Sequence, residues 1–119
     1  MQRCIAAFVD TIHFITYDGH HHQLMMYLTN EESDRRRLCQ FISDKSGQNV
    51  TFNDLRFYFF DTEKKRIDIM PDYSLRQAFT SARVILNNTP WVKMFVYIDT
   101  SAYELPLNQF MAKITLKNE

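Results

Sequence analysis

Tyr58–Phe79, YFFDTEKKRIDIMPDYSLRQAF, packs three changes of conformation into one short stretch. The aromatic opening continues a strand that starts at Leu55, since Leu55, Phe57 and Phe59 alternate with Arg56, Tyr58 and Phe60. The charged run DTEKKR reads as a turn, and IDIM as a short second strand that Pro71 stops. Asp72 is expected to cap a following helix through its side-chain oxygen. Leu75, Ala78, Phe79 and Ala82 then recur at i, i+3, i+4 and i+7, the apolar stripe of a helix packed on a core. Asp61, Glu63 and Asp72 gather around the turn and the helix start, with Asp68 on the strand between them. No nucleophile or base is paired with these carboxylates in sequence, so the cluster reads as a grip for a basic partner and not as a catalytic centre.

Outward from this stretch the same alternation of strand and helix signals continues. TIHFITY, Thr11–Tyr17, is rich in β-branched and aromatic residues, Asp18-Gly19 marks a turn, and QLMMYL follows as the return strand of a hairpin. A helix is expected from about Glu31 to Lys45. Thr29 and Glu32 have capping-box spacing, Asn30 is a rival cap, Leu38, Phe41 and Ile42 share one face, and Gly47 is a left-handed terminator. After the second helix, Asn87-Asn88-Thr89-Pro90 breaks the pattern, and WVKMFVYI is apolar enough for a central strand. The order strand, strand, helix, strand, strand, helix, strand predicts an α+β fold, the ubiquitin-like β-grasp roll, over residues 1–98. Residues 99–119 form an extension whose Leu105, Leu107, Phe110 and Met111 suit either docking on the domain or a partner, and MAKITL reads as an extra strand.

The chain has 119 residues, an apolar fraction of 45% and zero formal charge, which fit one globular domain with a core of its own and no global field toward nucleic acid or membrane. The two cysteines, Cys4 and Cys39, are far apart and outside any metal-ligand spacing, so reduced thiols are expected. MQRCIAAFVD is closed too early by an acid to read as a signal peptide, and no run reaches the length of a spanning helix. The expected setting is cytoplasmic or nuclear, and the sequons at Asn49 and Asn87 read as chance occurrences there. No phosphate-binding loop, catalytic triad or cofactor motif is present, so no cofactor and no catalysis are expected.

The Tyr58–Phe79 segment resembles the acidic signature of the Phox-and-Bem-one (PB-one) domain. In that family a ubiquitin-like roll assembles signalling and autophagy scaffolds by head-to-tail pairing. The motif's first acids correspond to Asp61 and Glu63, its apolar strand position to Ile69, its helix-start acid to Asp72, and its helical Leu and Ala to Leu75 and Ala78. The glycine and third acid of the family's turn are replaced by Lys64 and Lys65. The basic half of the family's code falls near His13, His21, His22 and Gln23, where no Lys or Arg stands. The resemblance implies a scaffold or adaptor module whose acidic face, Asp61, Glu63, Asp68 and Asp72, captures a basic partner domain or a second copy.

The remaining charged groups supply at best a degenerate basic face: His13, His22, Arg35, Arg36, Lys64 and Lys65. His20, His21 and His22 are expected on an exposed turn and not around a metal, because neighbours on extended chain point to opposite sides. Arg35-Arg36-Arg37 reads as a solvated helix face. Nucleic-acid binding would require a broader basic stripe beside aromatics on an open sheet, and Trp91 and Phe95 are expected in the core instead. A protein partner, in a homodimer or hetero-oligomer, is the expected ligand. The alternatives are apolar self-association through an edge strand or the tail, and an RNA-binding α/β module.

Overall fold

The computed structural model describes residues 8–99. Within them the chain forms β1 (Val9–Ile15), β2 (His21–Met26), α1 (Glu31–Ser46), a short 3-10 turn (Phe52–Asp54), β3 (Leu55–Phe60), β4 (Arg66–Asp68), α2 (Leu75–Ile85) and β5 (Trp91–Ile98). The strands make one mixed sheet in the order β2-β1-β5-β3-β4. β5 is central, as its apolar run required, and lies parallel to β1 and antiparallel to β3. The domain is therefore α+β, with a mixed five-stranded sheet and two helices.

The hairpin lies two residues earlier than its composition suggested. β1 begins at Val9 and β2 at His21, with Gly19 at φ 95° supplying the left-handed turn position. His21 and His22 consequently sit on β2, paired with Ile15 and Phe14, and only His20 remains in the turn. β4 is three residues long, although Ile69 still donates its N–H to Phe57 O at 2.9 Å before Met70 and Pro71 leave the sheet.

Helix α1 is opened by Asn30, whose side-chain oxygen accepts the Ser33 N–H at 3.0 Å, and not by Thr29, whose own N–H goes to Asp34. Gly47, at φ 74°, ends it. Helix α2 corrects the expectation placed on Asp72. Its N-cap is Ser74, which forms a reciprocal capping box with Gln77, so Asp72 stands two residues before the cap, exposed. The two remaining N–H groups at this helix start, those of Leu75 and Arg76, point at the Glu31 carboxylate of α1, at 2.8 and 3.4 Å. Hydrogen bonds from Leu75, Arg35 and Arg76 outweigh the burial of Glu31 and hold its pKa below the ordinary range.

Both helices cover the same side of the sheet. Ile12 and Phe14 of β1, Leu55, Phe57 and Phe59 of β3, and Val92, Met94, Val96 and Ile98 of β5 are buried against Leu38, Ile42, Leu75, Phe79 and Ala82 of the helices. Among the described residues one ion pair is buried on this side: Asp10 of β1 accepts from Arg83 of α2, whose guanidinium also lies 3.9 Å over the Phe8 ring. Burial raises the Asp10 pKa and Arg83 works against that rise. The extra strand and docking expected of the tail lie outside the described residues, as does Cys4.

Candidate functional site

Alternation sends the other half of each strand to the face opposite the two described helices. Tyr58 and Phe60 of β3 meet Phe95 and Tyr97 of β5 there. Tyr58 stacks on Phe95 at 5.2 Å and 13°, Phe60 meets Phe95 edge-on at 5.5 Å, and Tyr97 lies 6.1 Å from Tyr58. Arg66 of β4 lies 3.9 Å over the Tyr58 ring and donates to Asp68 at 2.9 Å. Trp91 opens β5 with 68% of its surface exposed, and Phe60 is 44% exposed. The expectation that Trp91 and Phe95 join the core is thus corrected: Trp91 is exposed and Phe95 half-buried, because the helices sit behind the sheet.

At one end of this aromatic row is a cleft of about 620 Å³, lined by Phe60, Asp61, Lys64, Leu86, Trp91, Lys93 and Phe95. Its rim is the β3–β4 turn. Asp61 Oδ1 accepts the N–H groups of Glu63 and Lys65 at 2.8 and 2.9 Å, and Lys64 N–H closes on Asp61 O at 2.9 Å. Lys64 holds φ 66°, the left-handed position that a hairpin turn of this kind gives to glycine. A residue with a Cβ is held there at a cost of about 1 kcal/mol relative to glycine.

Of the expected acidic face, Glu63, Asp68 and Asp72 are exposed and Asp61 is half-buried. Asp61 is engaged by its own turn, Glu63 is 3.9 Å from Lys65, and Asp68 is bound to Arg66. Asp72 is exposed on the segment leading to α2. From Asp61 to Asp68 the consecutive Lys64, Lys65 and Arg66 offset three acids, and Asp72 leaves the whole segment one charge negative.

The basic face assembles even less. His13 is 3% exposed, on the side of the sheet away from the helices, with Nε2 2.8 Å from Thr11 Oγ1 and Nδ1 2.8 Å from His21 Nε2. Burial, then His21 and Lys93, lower its pKa to about 4, so it carries no charge near neutrality. His22 is half-buried beside Phe14. Arg35 is tied to Glu31 and lies 4.2 Å over Phe52, and Arg36 pairs with Glu32 at 2.9 Å. These two arginines pair within α1, whereas Lys64 and Lys65 belong to the β3–β4 turn. Cys39 is a free thiol whose pKa is raised, first by burial and then by Asp54. No group of three or more metal-binding side chains occurs among the described residues. No helix among the described residues is long and apolar enough to cross a membrane.

The geometry defines a class, an α+β domain with one sheet face covered by helices and the other presenting aromatics. No protein-family model matches this chain, and no curated protein matches it. The aromatic face is hidden at the level of composition, because aromatic strand residues are core residues by default. The signal available was the strict alternation in WVKMFVYI, which places Trp91, Phe95 and Tyr97 together with Lys93 on one side.

Proposed function

We propose that this chain is a non-catalytic, ubiquitin-like module that binds another polypeptide, as part of a scaffold or adaptor. The element order and the central β5 parallel to β1 support the ubiquitin-like reading. One observation carries the functional part: an aromatic row, ending in Trp91 at 68% exposure, lies on the sheet face opposite the helices. Clustered exposed aromatics on a rigid frame are the composition of protein interfaces, because they bury large area at small entropic cost. The test is selection of displayed random peptides on the wild-type domain, with Trp91→Ala as counter-selection. Binders that lose most of their affinity on Trp91→Ala support the reading. A selection that yields no binders, or only binders indifferent to Trp91, overturns it.

A second reading keeps the PB-one-like mode, in which Glu63, Asp68 and Asp72, with Asp61 behind them, meet a basic partner domain or a second copy. The exposure of Glu63, Asp68 and Asp72 favours it. Asp61 is unsuited to a test by alanine, because its carboxylate holds the turn. Glu63→Gln with Asp72→Asn removes two of the exposed charges, leaves the turn intact, and should weaken capture of a basic partner.

A further inference from the structure

We infer that the cleft beside Trp91 receives an apolar side chain of the partner polypeptide together with a carboxylate next to it, and that Lys64 and Lys93 hold that carboxylate. The inference rests on the polypeptide-binding reading above and names the chemistry of the ligand. Phe60, Leu86, Trp91 and Phe95 form apolar walls, and two lysines stand at the same opening. The neighbouring cations are already matched: Lys65 by Glu63 at 3.9 Å, Arg66 by Asp68 at 2.9 Å, and Arg56 by Asp99 at 3.5 Å. Lys64 and Lys93 have no carboxylate within ion-pair distance among the described residues. Asp61, the one acid among the described residues of the cleft, already has an oxygen committed to two backbone N–H groups.

The backbone supplies a separate argument. Lys64 occupies a left-handed position where glycine is the relaxed choice, and the side chain kept there at that cost lines the cleft. Charge decides the class of ligand. Two ammonium groups suffice for a single carboxylate, whereas a nucleic-acid strand needs a track of cations for successive phosphates. The rest of this face offers no such track, since Asp68 and Asp99 accompany its arginines.

Trp91 is the chain's single tryptophan, so its fluorescence reports occupancy of the cleft directly. The probe is a peptide recovered in the selection described above, made in its acidic form and with each acid replaced by the amide. The acidic form is expected to bind wild type more tightly. Lys64→Gly with Lys93→Gln should weaken the acidic form by about tenfold, the sum of two ion pairs, and leave the amide form unchanged. Lys64→Gly alone should raise the thermal unfolding midpoint while weakening binding, which separates a lost contact from a lost fold. Equal binding of the two peptide forms overturns this inference and leaves the polypeptide reading standing. Failure of the selection itself overturns both. Salt-sensitive quenching of Trp91 by oligouridylate, tighter than by any selected peptide, assigns the cleft to nucleic acid and overturns both as well.

Discussion

His13 shows how position overrides residue type. A histidine on the first strand invites a role as a switchable cation, yet here it is wedged between Thr11, His21 and Phe95. Its folded pKa of about 4 lies below the ordinary 6.5. Between those values the unfolded chain binds a proton that the folded one refuses, so folding stability falls as pH falls from about 6.5 toward 4. Chemical denaturation across that range should show a loss of about 1–3 kcal/mol attributable to His13, and His13→Phe should flatten it. An unchanged slope in the variant means that another group carries the dependence. Lys64 is the complementary case, an exposed residue whose backbone is constrained while its side chain faces solvent and the cleft.

At the scale of elements, α2 depends on a cap that its own sequence supplies and on one that it does not. Ser74 and Gln77 close the local box, and Glu31 reaches across from α1 to the Leu75 N–H, 44 residues away in sequence. Ser74→Ala should cost about 1 kcal/mol of stability. Glu31→Ala should cost about 2 kcal/mol, because it strips two helix N–H groups of a charged acceptor and leaves Arg35 without its pair. Asp72→Ala should change stability by less than about 0.5 kcal/mol, since this exposed residue is not the cap. Urea titrations of the three variants check the ranking. A large loss at Asp72 would restore it as a structural residue.

Across the whole molecule, the burial of one sheet face has two consequences. It encloses the Asp10–Arg83 pair that joins the first strand to the second helix and, through Arg83 to Thr89 O, to the loop before β5. Arg83→Met leaves a buried carboxylate without its counter-charge, an expected cost of about 3 kcal/mol near neutral pH. Burial already raises the Asp10 pKa, so the deficit should shrink as acid protonates the carboxyl. Denaturation of the variant at neutral and mildly acid pH tests this, and a constant deficit refutes it. The second consequence is that the other face keeps its aromatics outside, with Trp91 exposed.

Local order was readable from the chain alone. Gly47 ends α1, Pro71 follows β4, LRFYFF and WVKMFVYI are strands, and Leu75, Ala78, Phe79 and Ala82 are buried, because caps, turns and periodic burial depend on near neighbours. The candidate site was only half readable. Asp61 and Lys64 were visible as turn residues, and β5 hinted at the face through Lys93, but β3 did not. In β3 both sides are rich in aromatics, Phe57 and Phe59 on one and Tyr58 and Phe60 on the other, so alternation separates the sets without saying which is buried. That choice came from the helices, which pack long-range against Leu55, Phe57 and Phe59 and leave Tyr58, Phe60, Phe95 and Trp91 on the opposite side. The reach of Glu31 to α2 and of Arg83 to Asp10 is of the same kind, a contact between distant residues that no local pattern encodes.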